Sequence, residues 1–117
     1  MDSSILNDVK QLNGGIESDD TSFDMEIMTH INSVFMDLAS LGVGPTEGYF
    51  ITGSSEKWSD YVNDPFIAHV IMSYIAIQVK LVFDTPTNKT VVDALQKTAD
   101  KQEYKIRQWI EQQNNIV

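Results

Sequence analysis

The chain predicts an all-α domain, a small bundle of about four helices around one central buried helix at 66–83. Three features carry that prediction. Residues 66–83 read FIAHVIMSYIAIQVKLVF, apolar at nearly every position and broken only by His69, Ser73, Gln78 and Lys80. On either side, 23–41 and 89–111 repeat apolar residues at intervals of three and four, which puts them on one face of a helix. Between these stretches, 42–64 is a long irregular connection with room for a short β segment but not for an independent sheet. At 117 residues, 1–117 is expected to form a single domain with a modest core.

Taken in order, Ile5, Leu6, Val9 and Leu12 fall on one side of a short helix over 3–12, which Ser3 or Ser4 can cap. Asn13-Gly14-Gly15 ends it, and Ile16 is expected to turn back toward the core before the acidic turn Glu17–Asp20. The second helix is expected from about Phe23 to Leu41. Thr21 with Asp24 three residues on makes a capping box, and Asp24 and Glu26 suit the positive end of the helix dipole. Its stripe is Ile27, Ile31, Val34, Phe35, Leu38 and Leu41, widened by Met28 and Met36 and stopped at Gly42. In the connection, Tyr49-Phe50-Ile51-Thr52 reads either as an edge for a second subunit or as an extended strap. Ser54 or Ser55 can cap a short helix over Glu56–Val62 whose inner side carries Trp58, Tyr61 and Val62. Asp64 caps the central helix, Pro65 suits its first turn and Asp84-Thr85-Pro86 stops it. The last helix is expected from Lys89 to about Glu111, with Val91, Val92, Leu95, Ala99, Ile106, Trp109 and Ile110 on a face interrupted by Gln102 and Glu103. Residues 112–117 are expected to be a frayed tail.

Net charge is -9, unevenly placed. Residues 1–64 hold 12 acids against two lysines, and 65–117 hold five acids against six bases, so the halves carry -10 and +1. An acidic half repels the phosphate backbone and argues against ordinary nucleic-acid binding. The last helix places Lys97, Lys101 and Lys105 four apart, a row of like charges suited to an acidic partner. There is no cysteine, which removes disulfides and thiolate metal sites. No basic segment followed by an apolar run opens the chain, so no secretory signal is expected. The 66–83 run is long enough to raise the question of a membrane, and Lys80, His69, Gln78 and a mean hydropathy of -0.20 answer it in favour of a buried helix in a soluble chain, with no membrane partner.

The candidate chemistry is sparse. His30 and His69 stand alone on helices, without an HExxH pattern or a calcium loop around them, and read as helix-packing or interface residues. Ser54-Ser55 has no nucleophile motif, and Gly42-Val43-Gly44-Pro45 lacks the Lys-Ser/Thr of a phosphate loop. Asp19, Asp20 and Asp24 cluster at a helix start, where acids ordinarily serve the dipole and the turn. No catalytic, cofactor or metal site is expected. The remaining candidates are surfaces. Met28, Met36, Tyr49, Phe50, Ile51, Trp58, Tyr61 and Trp109 are candidate interface residues, with Trp58 and Tyr61 open to a core role. Asp19, Asp20, Asp24, Glu26 and Asp37 are candidate docking or channel-facing acids.

Several phrases together resemble a known family. Asp19-Asp20-Thr21-Ser22-Phe23-Asp24, His30-Ile31-Asn32-Ser33-Val34-Phe35, Leu41-Gly42-Val43-Gly44-Pro45, Trp58-Ser59-Asp60-Tyr61 and Leu81-Val82-Phe83-Asp84-Thr85-Pro86 are similar, in this order, to the head–tail connector (adaptor) proteins of tailed bacteriophages and prophages. The resemblance runs from Ile5 to about Arg107. Two departures are local: Thr85 stands where the family often has a proline, and Asn13-Gly14-Gly15 where it often has a single glycine.

The resemblance implies a small, mostly helical, non-enzymatic virion protein without cofactors. It implies a ring of about twelve subunits beneath the portal protein. Such a ring extends the DNA channel, binds no particular sequence of DNA and offers a surface to a tail-completion protein. The implied location is the head–tail junction of the virion, with the host cytoplasm before assembly. Some adaptors of this kind stay monomeric until docked. From the residues alone, a small regulatory or protein-binding module acting as monomer or dimer is the alternative.

Overall fold

Residues 2–114 are described by a computed structural model. They form five helices: α1 Ile5–Leu12, α2 Asp24–Leu41, α3 Trp58–Tyr61, α4 Pro65–Phe83 and α5 Lys89–Asn114. No strand is present among the described residues; one isolated antiparallel bridge joins Ser4 to Lys57. The all-α prediction therefore holds, with a single-turn helix added to four longer ones.

α4 is the centre. The Asp64 carboxylate accepts from the Phe66 N–H at 2.9 Å, and Pro65 occupies the first turn, where its missing N–H leaves no ladder bond unmade. At the other end the Thr85 hydroxyl bonds the Leu81 carbonyl at 2.7 Å and the chain turns out of the helix at Asp84. Ile67, Ile71, Ile75 and Val79 are fully buried; each buried aliphatic side chain of this size contributes roughly 2 kcal/mol. By length and composition α4 could cross a membrane. Here α1, α2, α3 and α5 all pack on it and bury 39% of its apolar window, while Phe66 and Val82 stay exposed.

The other helices pack around α4. Tyr74 and Phe83 are nine residues apart, about half a turn in phase, so they look to opposite sides. The Tyr74 hydroxyl reaches Glu103 on α5 at 3.5 Å, and Ser73 accepts from Gln102 at 2.6 Å. Phe83 packs edge-on against Phe23, the residue before α2, with ring centroids 5.5 Å apart. α1 and α5 meet neighbouring parts of α4, since Asn13 donates to the Ala76 carbonyl at 3.3 Å, three residues from Ser73. The end of α2 comes close to α5, where a Cβ on Gly42 would stand 3.9 Å from Ile110. The result is a slab of 46 × 34 × 21 Å.

Several boundaries differ from expectation for identifiable reasons. α1 is capped by Ser4, which accepts from the Asn7 N–H at 3.2 Å, but Leu12 is 51% exposed because the helix unwinds into Asn13 and Gly14 before that side chain meets the core. Thr21 does not cap α2. The helix starts after Phe23 without a side-chain cap, and Asp24, the expected capping partner, is drawn into an ion pair with Lys10 at 2.8 Å. α3 begins at Trp58, not Glu56, and is opened by Lys57 instead of Ser54 or Ser55. The Asp60 carboxylate accepts from the Lys57 N–H at 2.9 Å, and Glu56 is held back by Thr52. α5 continues through Gln112 to Asn114, beyond the expected Glu111; 115–117 lie outside the described residues. Gln102 and Glu103, expected to interrupt its apolar face, are part of the packed face through Ser73 and Tyr74.

Candidate assembly surfaces

The connection 42–57 holds much of what the sequence singled out. It leaves α2 through Gly42 and Gly44, both with positive φ, 96° and 83°; a Cβ on Gly44 would stand 2.6 Å from the Tyr61 ring. It then passes Tyr49–Thr52 as an extended strap. The Asn32 side chain takes the place of a paired strand, accepting from the Ile51 N–H at 2.8 Å and donating to the Ile51 carbonyl at 3.0 Å. Beyond it, the Glu56 carbonyl accepts from the Ile5 N–H at 3.0 Å, which ties the strap to α1.

This arrangement divides the eight apolar candidates. Ile51, Trp58 and Tyr61 are buried within the subunit and so offer no surface to a neighbour. Trp58 donates its indole N–H to Asp8 at 2.8 Å. Tyr61 forms an aromatic cluster with Phe35 and half-buried Tyr49, with centroids 4.7 to 5.2 Å apart. Burial raises the Tyr61 hydroxyl above the ordinary phenol range, and burial followed by the Asp60 and Glu56 charges raises Tyr49. Met28 and Trp109 are partly covered by the core, and Trp109 donates to Asp64 at 3.3 Å. Met36 and Phe50, 54% and 52% exposed, are free to meet a partner.

The acids divide as well. Asp24 is committed to Lys10. Asp19, Asp20, Glu26 and Asp37 are exposed. Asp20 accepts from the Ser22 N–H at 3.1 Å, and its hydrogen bonds to Ser22 hold its carboxyl below the usual range. Among the described residues Glu26 and Asp37 have no cation within 4.0 Å.

Residues not singled out by the sequence join this surface. Met25, at 79% the most exposed large apolar side chain, lies on the same outer side of α2 as Met36, eleven residues or about three turns on. Its position off the Ile27–Ile31 stripe was the available signal. Tyr104 on α5 is 62% exposed and equally far from the Ala99–Ile106 stripe. Phe66 is exposed at the start of α4.

A cleft of about 450 Å³ opens between Gly42, Tyr61, Asp64, Trp109, Ile110 and Asn114. Its carboxylate is already used by the Phe66 N–H and the Trp109 indole. Among the described residues no three His, Asp or Glu side chains come together as a metal site.

A family model described as phage connector protein matches residues 5–113, nearly the whole chain. The chain belongs to that family. The match passes Arg107, where the resemblance in sequence had faded, and takes in the rest of α5 almost to its end. Neither a curated protein nor a solved structure gives a significant match. Membership makes this a structural phage protein, a head–tail connector of the virion, from a family that is not one of enzymes.

Proposed function

We propose that this connector assembles as a ring under the portal protein of the DNA-filled head, extends its channel and presents a docking surface to a tail-completion protein. The family match over 5–113 carries the reading. The exposed side chains support it. Met25, Met36, Phe50 and Tyr104 are large apolar and aromatic side chains left exposed on the subunit, surface that a neighbouring subunit would cover. The exposed acids of the Glu17–Asp20 turn suit a channel wall that DNA slides past without binding. Before assembly the subunit would reside in the host cytoplasm; at work it would sit at the junction, with no membrane and no cofactor.

Native mass spectrometry of the chain, alone and with purified portal protein, tests the reading. The expected result is a species many times 13.2 kDa, either free at high concentration or on the portal. A chain that stays monomeric or dimeric and never binds portal would instead be a small regulatory or protein-binding module.

A further inference from the structure

We propose that the outer face of α5 packs against the outer face of α2 on the next copy of the chain, and that this head-to-tail contact builds the ring. The inference rests on the ring reading above and assigns the two surfaces it would use.

On α5, Lys97, Lys101 and Lys105 follow one another at intervals of four, on the side away from Ala99 and Ile106. Among the described residues none of the three has a carboxylate within 4.0 Å, whereas Lys10, Lys80, Lys89 and Arg107 each have one. Exposed Tyr104 stands among them. A row of unpaired like charges on one helix destabilises the isolated subunit, so its retention calls for an acidic partner.

The α2 face supplies that partner. Glu26 and Asp37 are exposed and unpaired among the described residues, and exposed Met25 and Met36 stand next to them in the chain. Lys97 to Lys105 spans about 12 Å and Glu26 to Asp37 about 16 Å, so the two rows are of comparable length. Between the acids, small Ser33 leaves space for a tyrosine ring.

Charge also selects the geometry. An α2–α2 contact would oppose acids, and an α5–α5 contact would oppose three lysines with Asp100 the acid beside them, so α5 on α2 brings the most unlike charge together. The two faces are separate surfaces of the subunit, one on α2 and one on α5, so each subunit that uses one face leaves the other free. Such a contact propagates from copy to copy, as a ring requires. Duplex DNA is the other polyanion that a lysine row could meet, but the net charge of -9 opposes it.

Because the chain has no cysteine, introduced thiols are unambiguous. Ser33→Cys combined with Lys101→Cys should give a ladder of disulfide-linked oligomers on mild oxidation, at high protein concentration or on purified portal protein. Each single variant should give none. Lys101→Glu with Lys105→Glu should lower assembly at least tenfold, and adding Glu26→Lys with Asp37→Lys to the same chain should restore it. Circular dichroism on each variant separates lost contact from lost fold. Dimers from either single-cysteine variant, or rings of full mass with no ladder, would overturn this pairing while leaving the ring in place. A chain that never oligomerises, even on portal, would overturn both readings. Charge reversal that spares assembly and abolishes retention on duplex DNA would reassign the lysines to DNA and overturn the pairing.

Discussion

A lysine without solvent exposure must have its ammonium protons met inside the protein, and Lys10 uses the Ser18 carbonyl at 3.3 Å, the Asp20 carbonyl at 2.7 Å and the Asp24 carboxylate at 2.8 Å. These bonds join α1 to the acidic turn and the start of α2. Lys10→Ala should destabilise by about 3 kcal/mol in urea unfolding, because it removes both the buried stem and the cation. Lys10→Met keeps the stem and lets partly exposed Asp24 hydrate, so about 1 kcal/mol is expected. Glu56 gives a pH-dependent counterpart. Burial alone would raise its pKa, but the Thr52 N–H at 2.8 Å and hydroxyl at 2.9 Å favour the carboxylate and bring the net value below the usual 4.5. A folded-state pKa below the unfolded one stabilises above that unfolded value and is lost as pH falls through the folded one. Solvent screens this partly exposed group, so Glu56→Gln should cost at most about 1 kcal/mol at pH 7 and progressively less below about pH 4.5, read from urea midpoints across pH. Neither role was legible in the sequence. Lys10 sat at the edge of an apolar stripe where a lysine ordinarily extends to solvent, and two of its acceptors are backbone carbonyls that no residue pattern announces.

Elements were legible wherever their ends are made by neighbours in sequence. α4 was predicted to within one residue because Asp64, Pro65 and Pro86 mark its limits locally. The strap over Tyr49–Thr52 was legible only as β-prone; what holds it is Asn32, 19 residues earlier, filling both hydrogen bonds of Ile51. Asn32→Ala should leave the N–H and C=O of a buried residue unpaired and cost about 3 kcal/mol. Asn32→Asp retains the acceptor and loses the donor, so it should fall between wild type and Ala. Limited proteolysis should show the difference as faster cleavage within 42–57, while α4 and α5 stay resistant. Uniform loss of resistance along the whole chain would instead make the strap part of a single cooperative core. For α5 the periodicity gave the right face but too much burial. Only Ala99 and Ile106 are buried, because α5 packs mainly on α4.

At the scale of the whole molecule, the charge asymmetry read from the two halves of the sequence falls on different helices. Eight of the 17 acids lie between Asp2 and Asp37, on and before α2, and Lys97, Lys101 and Lys105, unpaired among the described residues, lie on α5. If Glu26 and Asp37 meet the next subunit, the acids left for a channel wall are those of the Glu17–Asp20 turn. These are exposed, and hydrogen bonds from Ser22 favour the ionised form of Asp20. Combining Glu17→Gln, Asp19→Asn and Asp20→Asn takes the net charge from -9 to -6, since three negative charges are removed. The urea midpoint should stay at the wild-type value, because the side chains are exposed and the Asp20→Asn change keeps an acceptor for the Ser22 N–H. Ring formation should also survive, because the α2 and α5 faces are untouched. The wall should lose repulsion: portal–connector assemblies carrying the variant should retain duplex DNA more strongly than wild type at low salt, with the difference vanishing as salt rises. Equal retention at every salt concentration would show that this turn does not face the DNA path. The acids would then belong to the outer surface, where the tail-side partner docks.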